Sequence, residues 1–239
     1  MKLVRVTAAL RDVCSAFAHC FLPQSCALCR KLIPSAESIC SSCAASIRPS
    51  SSVFCPLCRY EAEGDPGETP CRVHVQVKAK TALRPEGPVL ALIHGLKYSG
   101  RRELAPLLAE YVVSAGIVDR DLERCDVMCP VPLFPTRERE RGFNQSTDIA
   151  ERIESVSGVP LVRDLLVRVR PTGEQAKLPA EVRRRNLIGS FAVKKPRLAA
   201  RKSILLVDDV ITTGSTVAAC LEALALAEVG EVLVVAVAG

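Results

Sequence analysis

The C-terminal segment from residue 203 to residue 239 limits the possible folds more than any other part of the sequence. It begins with the apolar run SILLV, turns to two adjacent aspartates and continues as VITTGST, a small and hydroxyl-rich stretch. A helical pattern follows in STVAACLEALALAEVG, and the chain closes on the apolar run VLVVAVAG. Strand, tight turn, helix and strand in this order predict a βαβ unit. Because neither strand alternates apolar with polar residues, we expect an α/β fold whose parallel sheet is covered on both faces.

The turn between this strand and helix predicts a phosphate-binding loop. Ligands of open parallel sheets lie beyond the carboxyl ends of the strands, where helix N-termini offer backbone N–H groups. Two carboxylates would repel a phosphate there, so we expect them to bind the adjacent hydroxyls of a ribose, with a divalent cation nearby. The sequence thus predicts a ribose 5-phosphate site, in which Asp208 and Asp209 hold the ribose and the phosphate is held by Thr212, Thr213, Gly214, Ser215 and Thr216. The alternative is an acidic βα turn in which Thr or Ser caps the helix, as in many α/β proteins.

Cysteines in the N-terminal part of the chain predict bound zinc. Nine of the 12 cysteines lie between residues 14 and 71, and six of them form three C-x-x-C pairs. The first two pairs are ten residues apart, a spacing that suits one tetrahedral structural site of Cys26, Cys29, Cys40 and Cys43. A second set consists of Cys55, Cys58, Cys71 and His74. The sequence also allows the pairs to interleave between two zinc ions, or only the first site to bind metal. An iron–sulfur cluster fits this paired spacing less well.

Composition divides the chain near residue 80. Residues 1–80 hold short apolar runs between turn residues, which is too poor a core to fold without metal. We therefore predict a cysteine-rich zinc-ribbon module at 1–80 and an α/β domain at 81–239. Charged residues interrupt the N-terminal MKLVRVTAALRDV, and no run of about 18 apolar residues occurs, so neither a secretory signal nor a membrane span is expected. The expected location is the cytoplasm.

The motifs together resemble a known family. The segment ILLVDDVITTGST (204–216) resembles the phosphoribosyl pyrophosphate (PRPP) motif of type I phosphoribosyltransferases. With PVPLFPTRERERGFNQS (130–146), RVRPTGEQAKLPAEVRRRNLIGSF (168–191) and the paired cysteines, the chain is similar to the ComF family over nearly its whole length. The resemblance implies a sheet of the type I phosphoribosyltransferase type, a pocket for PRPP with Mg²⁺, a zinc ribbon with structural Zn²⁺, and a link to DNA uptake and single-stranded DNA. His74 departs from the family pattern, in which a cysteine is usual at this position.

A PRPP site also needs cations for the pyrophosphate. In the transferases that the motif resembles, the pyrophosphate loop follows a strand, as the Pro-Val-Pro turn at 130–132 does here. The candidate pyrophosphate-binding residues are Lys97, Arg137 and Arg141, and Arg141 belongs to RGFNQ, a more discriminating match than the PRPP motif alone. The alternating charges of RERER are also typical of a solvated, self-paired surface segment. Residues 163–202 hold 12 Lys and Arg against 3 Asp and Glu, a net charge of +9 that suits a polyanionic ligand.

Two functions are compatible with these motifs. The first is a PRPP-dependent transferase whose acceptor is unidentified. No residue stands out as its general base, and His94, on an apolar helix face, is expected to be packed. The second is a non-catalytic PRPP sensor that holds single-stranded DNA or a competence helicase. The absence of Trp, with only six Phe and three Tyr, disfavours a base-stacking platform and leaves charge to dominate any DNA affinity. A scaffold that retains the fold without a ligand is a third possibility.

Overall fold

The computed structural model describes residues 24–33, 37–50, 52–58, 77–117, 122–171, 187 and 189–239. The chain divides into two compact units, Met1–Ile47 and Arg48–Gly239. The sequence analysis places this division at residue 80, whereas the structure places it after Ile47. The reason is that the strands Val53–Phe54 and Val77–Leu83 belong to the same sheet as the C-terminal βαβ unit. A cysteine-rich composition therefore continues past the end of the first unit.

The described part of the first unit is small and has short elements. Strand β1 (Gln24–Ser25) pairs antiparallel with β2 (Leu32–Ile33), and helix α1 (Ser41–Ala44) follows Cys40. The buried apolar residues in the described part of this unit are Cys26, Ile33, Ile39, Cys40 and Ile47. The buried side chains of the described residues alone supply little of the free energy needed to order this part of the chain, which agrees with a need for bound metal.

The second unit is built on a sheet that has five strands in the described residues and is called the main sheet below. These strands are β3 (Val53–Phe54), β4 (Val77–Leu83), β5 (Val127–Pro130), β8 (Ile204–Val210) and β9 (Val232–Ala238). Their spatial order is β3-β4-β9-β8-β5; β3 is antiparallel to β4, and every other neighbouring pair is parallel. Strand β9 is buried along its entire length, and β8 is buried up to its last residue. The predicted parallel α/β architecture with a C-terminal βαβ unit is confirmed.

Helices flank the main sheet. They are α2 (Gly87–Tyr98), α3 (Leu104–Val112), α4 (Pro135–Arg141), α5 (Gln145–Ser157), α6 (Pro196–Ala199) and α7 (Ser215–Leu226). Helix α3 packs against α5 and against β4 and β9, whereas α7 packs against the hairpin of β6 (Leu166–Arg168) and β7 (Phe191–Val193). In the described part of the chain, no helix has the length and the apolar character that crossing a membrane requires.

The carboxyl edge of the main sheet brings the motifs together. Because Pro130 pairs with Val207, the loop after β5 begins beside the two aspartates at the end of β8. Helix α5 begins next to these acids, and Asn144 caps it by accepting a hydrogen bond from the Ser146 N–H at 3.0 Å. Helix α7 begins after Gly214, whose φ of +74° is easily adopted only by glycine. This edge therefore holds two helix N-termini and two acids.

Candidate functional site

The aspartate pair is buried at the end of β8, beside polar groups of two helices. Asp208 and Asp209 are only 7% and 2% exposed. Asp208 Oδ1 accepts hydrogen bonds from Ser146 Oγ at 3.2 Å and from the Asp209 N–H at 2.9 Å. Asp209 Oδ2 lies 2.5 Å from Lys97 Nζ. Among the described residues this oxygen accepts no well-aligned hydrogen bond, so Lys97 compensates its charge as a close ion contact. The acids thus face polar groups supplied by α2 and α5.

Asp208 holds its proton more tightly than an ordinary aspartate. Burial is the main cause, and together with the neighbouring charge of Asp209, against the smaller opposing effect of the Lys97 ammonium, it raises the pKa of Asp208 to about 8. Asp208 therefore keeps its proton at neutral pH and shares a hydrogen bond with the Asp209 carboxylate. A neutral acid beside an ionised one can both donate and accept hydrogen bonds, which suits two adjacent hydroxyl groups.

The proton on Asp208 makes stability depend on pH. An unfolded aspartate has a pKa of about 3.9, so between roughly pH 4 and pH 8 the native protein holds a proton that the unfolded chain releases. The stabilisation from this proton is complete below that range and is lost as the pH rises through about 8. We expect the Tm of the wild type, relative to that of Asp208→Asn, to fall between about pH 5 and about pH 9 in scanning calorimetry. A difference that is constant or grows with pH would contradict a neutral Asp208.

The predicted phosphate loop lies at the start of α7. Thr212 and Thr213 are exposed, Gly214 and Ser215 are buried, and Thr216 is half-buried. The hydroxyl oxygens of Thr213 and Ser215 lie 3.0 Å apart. The first N–H groups of a helix have no acceptor within the helix, so this end offers donors to an anion. Whether phosphate binds here stays a prediction.

Three cations that the sequence analysis singles out meet at one cavity. Its volume is about 370 Å³, and it is lined by Lys97, Tyr98, Ser99, Gly100, Arg137, Glu140 and Arg141. Lys97 also contacts Asp209, so the cavity adjoins the aspartate pair. Arg137 is exposed on α4. The sequence analysis assigned Lys97 to pyrophosphate only, and its pairing with one of the proposed ribose acids was not foreseen.

Arg141 is held by contacts on two sides. Its Nη1 donates a hydrogen bond to Gln145 Oε1, and its guanidinium carbon lies 5.6 Å from the centre of the Tyr98 ring. Burial lowers the pKa of Arg141, while the nearby charge of Asp209 opposes that shift. His94, expected to be packed, is instead exposed, and its ring lies at 45° to the Tyr98 ring with 4.6 Å between ring centres. That expectation was wrong because the buried side of α2 consists of Val89, Leu92, Ile93 and Leu96.

Three residues of the RGFNQS segment make hydrogen bonds at the site that the sequence analysis did not predict. Asn144 Nδ2 donates to the Val131 carbonyl at 3.0 Å and so ties the loop after β5 to α5. Gln145 holds Arg141, and Ser146 donates to Asp208. Two features of the sequence could have indicated these roles: the family match of RGFNQ itself, and an Asn at a predicted helix start. Nothing in the local pattern connects Ser146 with an aspartate 62 residues further along the chain.

The first cysteine set forms a cluster suited to a structural metal such as zinc. The sulfurs of Cys26, Cys29, Cys40 and Cys43 all lie within 4.8 Å of one another. Burial opposes ionisation of Cys26, but hydrogen bonds from the N–H groups of Cys29, Cys40 and Leu28 outweigh it and lower its pKa to about 6. A thiolate is the form that binds zinc. Four protein ligands leave no position open for catalysis.

Half of the second cysteine set lies in the described part of the chain. Cys55 is buried and Cys58 is exposed, and both belong to the second compact unit. The N–H groups of Leu57 and Cys58 hydrogen-bond to the Cys55 sulfur, as those of Leu28 and Cys29 do to Cys26. Cys71 and His74, the other two predicted ligands, lie outside the described residues. The donor geometry of the described pair suits a thiophilic cation, and metal at this set stays a prediction.

Known proteins are similar to this chain over most of its length. No family model matches it. DNA utilization protein YhgH of Salmonella typhi is 34% identical over 206 residues, which is 82% of this chain and 88% of that protein. Competence protein F of Haemophilus influenzae is 36% identical over 135 residues, 54% of this chain and 58% of that protein. Competence protein ComFC of Bacillus subtilis is 26% identical over 189 residues, 75% of each chain.

These similarities and the four-cysteine cluster confirm the resemblance stated from the motifs. The relation to YhgH covers more than four fifths of both chains at 34% identity. The cysteine cluster accounts for two of the three C-x-x-C pairs that accompany the PRPP-like motif. The chain belongs to the ComF family, together with YhgH, competence protein F and ComFC.

Proposed function

We propose that this chain binds PRPP with Mg²⁺ at the carboxyl edge of its main sheet, in the manner of a type I phosphoribosyltransferase. One observation carries the proposal. The buried pair Asp208 and Asp209 stands between the N-terminus of α7 and the cavity lined by Lys97, Arg137 and Arg141. Donors for the 5-phosphate, acids for the ribose diol and cations for the pyrophosphate thus follow one another in the order in which PRPP carries these groups.

The ribose would bind at the aspartates. One ribose hydroxyl can donate to the Asp209 carboxylate, and its neighbour can accept the hydrogen bond that protonated Asp208 gives to Asp209 in the free protein, so two neighbouring hydroxyls satisfy both side chains. Hydrogen bonds to an ionised group are stronger than those between neutral groups, which makes Asp209 the principal anchor. The 5-phosphate would then accept from N–H and hydroxyl groups of the loop 212–216.

The pyrophosphate would occupy the cavity beside the acids. Lys97, Arg137 and Arg141 give that cavity three positive charges, against the carboxylate of Glu140 and that of Asp209, which Lys97 contacts. Gln145 and Tyr98 hold the Arg141 guanidinium, so this cation is positioned before the ligand arrives. Mg²⁺ bound with PRPP would neutralise further phosphate charge, and the Asp209 carboxylate would supply an oxygen ligand of the type that Mg²⁺ prefers.

The same arrangement supports transfer of the phosphoribosyl group to an acceptor. A nucleophilic atom of the acceptor would bond to the anomeric carbon while the bond from that carbon to the pyrophosphate oxygen breaks. Positive charge develops on the ribose, near Asp209, and negative charge on the leaving pyrophosphate, near Arg141 and Lys97. Groups fixed in advance against charges that grow in the transition state lower the barrier most effectively.

Calorimetric titration of the zinc-loaded protein with Mg²⁺–PRPP tests the proposal. We expect a dissociation constant of about 10 μM, an ordinary enzyme–substrate affinity, with ribose 5-phosphate and pyrophosphate each binding at least about tenfold more weakly. Arabinose 5-phosphate is a matched control, because it differs from ribose 5-phosphate only in the configuration of one hydroxyl. We expect it to bind more weakly still. Absence of PRPP binding to folded protein, or equal affinity for the two pentose phosphates, would overturn the ribose assignment.

Binding of single-stranded DNA is a second candidate function. The names of the relatives supply one reason, since YhgH is called a DNA utilization protein and two others are called competence proteins. The basic stretch 163–202 supplies another, and Arg170, Arg197 and Arg201 are exposed within its described part. However, Asp164 binds Lys194 and Lys195 in ion pairs, and Asp126 binds Lys202. Part of the positive charge is therefore compensated, and the PRPP site has the stronger structural support.

A further inference from the structure

The exposed side of helix α2 carries two aromatic rings beside the pyrophosphate cavity. Tyr98 is 63% exposed, and His94, one turn before it, is exposed too. The two ring centres lie 4.6 Å apart, and Tyr98 also lines the cavity. The aromatic patch, as His94 and Tyr98 are called below, therefore continues from the wall of the cavity onto the surface. The pyrophosphate that the proposed function places in the cavity has no group that would cover it.

Exposed rings in this position favour a ligand that has a flat ring of its own. Every nucleobase has a π face, so a base stacks on aromatic side chains with little regard to its identity. The guanidinium carbon of Arg141 lies 5.6 Å from the centre of the Tyr98 ring, so a base placed against the patch would also adjoin a cation. A nucleobase is thus the ring system that these neighbours suit.

The charges beside the patch indicate which base-bearing ligand fits. Three cations surround one cavity of about 370 Å³, which suits a compact diphosphate. A nucleic-acid strand instead needs a basic groove that follows its backbone. The arginines that follow the patch along the chain, Arg101 and Arg102, form ion pairs with Glu103 and Asp148, so their charges are compensated. The positive charge is therefore concentrated at the cavity, as a nucleoside diphosphate requires.

We propose that the aromatic patch and the cavity together bind a nucleoside diphosphate. Its base lies against the rings of His94 and Tyr98, and its diphosphate lies on the cations of the cavity. The inference rests on the proposed function, because the diphosphate takes the place of the PRPP pyrophosphate. A nucleoside diphosphate and PRPP then exclude each other, so the concentration of the nucleotide regulates the occupancy of the site by PRPP.

Calorimetric titration of the zinc-loaded protein with ADP in the presence of Mg²⁺ tests the inference. Ribose 5-diphosphate is the matched ligand, because it has the same sugar and diphosphate and lacks only the base. We expect ADP to bind about tenfold more tightly than ribose 5-diphosphate, an advantage typical of one stacked base, and to compete with PRPP. Equal affinity of the two diphosphates, or ADP binding that PRPP does not displace, would overturn the inference.

His94→Ala removes one ring of the patch at a position that does not line the cavity. We expect this variant to bind ADP about fivefold more weakly and to keep its affinity for ribose 5-diphosphate and for PRPP. Leu90→Ala is the matched control, since Leu90 is exposed one turn before His94 on the same helix and has no ring. It should leave all three affinities unchanged. Wild-type affinity for ADP in His94→Ala would exclude the patch as the base site.

The same titrations separate this inference from the proposed function and from another occupant. If PRPP binds and ADP has no advantage over ribose 5-diphosphate, the inference fails and the proposed function stands. If neither PRPP nor either diphosphate binds to folded protein, both fail. A single-stranded oligonucleotide of about twelve nucleotides covers the length that one nucleic-acid site takes. Tighter binding of this oligonucleotide than of ADP, weakened by His94→Ala, would assign the patch to nucleic acid and overturn the inference.

Discussion

Replacement of both Asp208 and Asp209 with asparagine should weaken the binding of Mg²⁺–PRPP at least about 30-fold. A hydrogen bond that involves a charged partner contributes about 1.5–3 kcal/mol, and one between neutral groups contributes about 0.5–1.5 kcal/mol. Loss of a charged bond at Asp209 and a neutral bond at Asp208 corresponds to roughly 30-fold to 2,000-fold in affinity. Asparagine keeps the size of aspartate but removes the negative charge at Asp209 and the carboxyl proton at Asp208. Calorimetric titration under conditions in which the wild type binds PRPP measures the loss directly.

Two comparisons separate ligand binding from folding in this experiment. Asp164→Asn makes the same chemical change at a surface acid that pairs with Lys194 and Lys195, so PRPP affinity should be unaffected. The double variant should keep its circular dichroism spectrum and the zinc of the four-cysteine cluster, because asparagine has the size of aspartate and that cluster belongs to the other compact unit. Wild-type affinity in a folded Asp208→Asn/Asp209→Asn protein would exclude the aspartates as the ribose anchor. The acidic βα turn would then be a structural feature only.

The parts of the fold that the sequence predicts well are those encoded by neighbouring residues. Strands β8 and β9 and the start of α7 follow from a continuous apolar run, a turn sequence and a helical repeat within one short segment. Gly158 ends α5 with a φ of +73°, as a glycine after a helical pattern predicts. The four-cysteine cluster likewise follows from local spacing, since each C-x-x-C pair brings two sulfurs together without help from the rest of the fold.

The parts that could not be predicted depend on contacts between distant segments. Strand β3 is only two residues long and adjoins a C-x-x-C pair, so nothing local indicates that it joins the main sheet through β4. The segment RERER alternates in charge, and that alternation does not by itself indicate helix α4. Pairing of Lys97 with Asp209 joins residues 112 positions apart and requires the packing of α2 against the sheet edge. These contacts determine the site and leave no periodic pattern in the sequence.

Loss of zinc from the four-cysteine cluster should unfold the first compact unit. Structural zinc contributes an apparent free energy of about 10–16 kcal/mol in small zinc-binding peptides at neutral pH. The described residues of Met1–Ile47 bury few apolar side chains, so no other source of stability of this size is available among them. We expect Cys26→Ser/Cys40→Ser to lose this zinc and to show nearly complete amide exchange over residues 24–33 and 37–47. Mass spectrometry of peptides from these ranges provides the measurement.

The second unit should respond differently to the same variant. Its core joins the β6–β7 hairpin, α7 and the main sheet, so it has an apolar interior of its own and should keep slow exchange along β8 and β9. Cys125→Ser, at a half-buried cysteine outside the cluster, is the control for a change of cysteine to serine and should leave residues 24–47 protected. Protection of residues 24–47 in the zinc-free double variant would show that packing, not metal, orders the first unit. Loss of protection in both units together would instead mean that the two units unfold as one cooperative unit. The boundary after Ile47 would then separate two groups of native contacts, but not two independently stable parts of the protein.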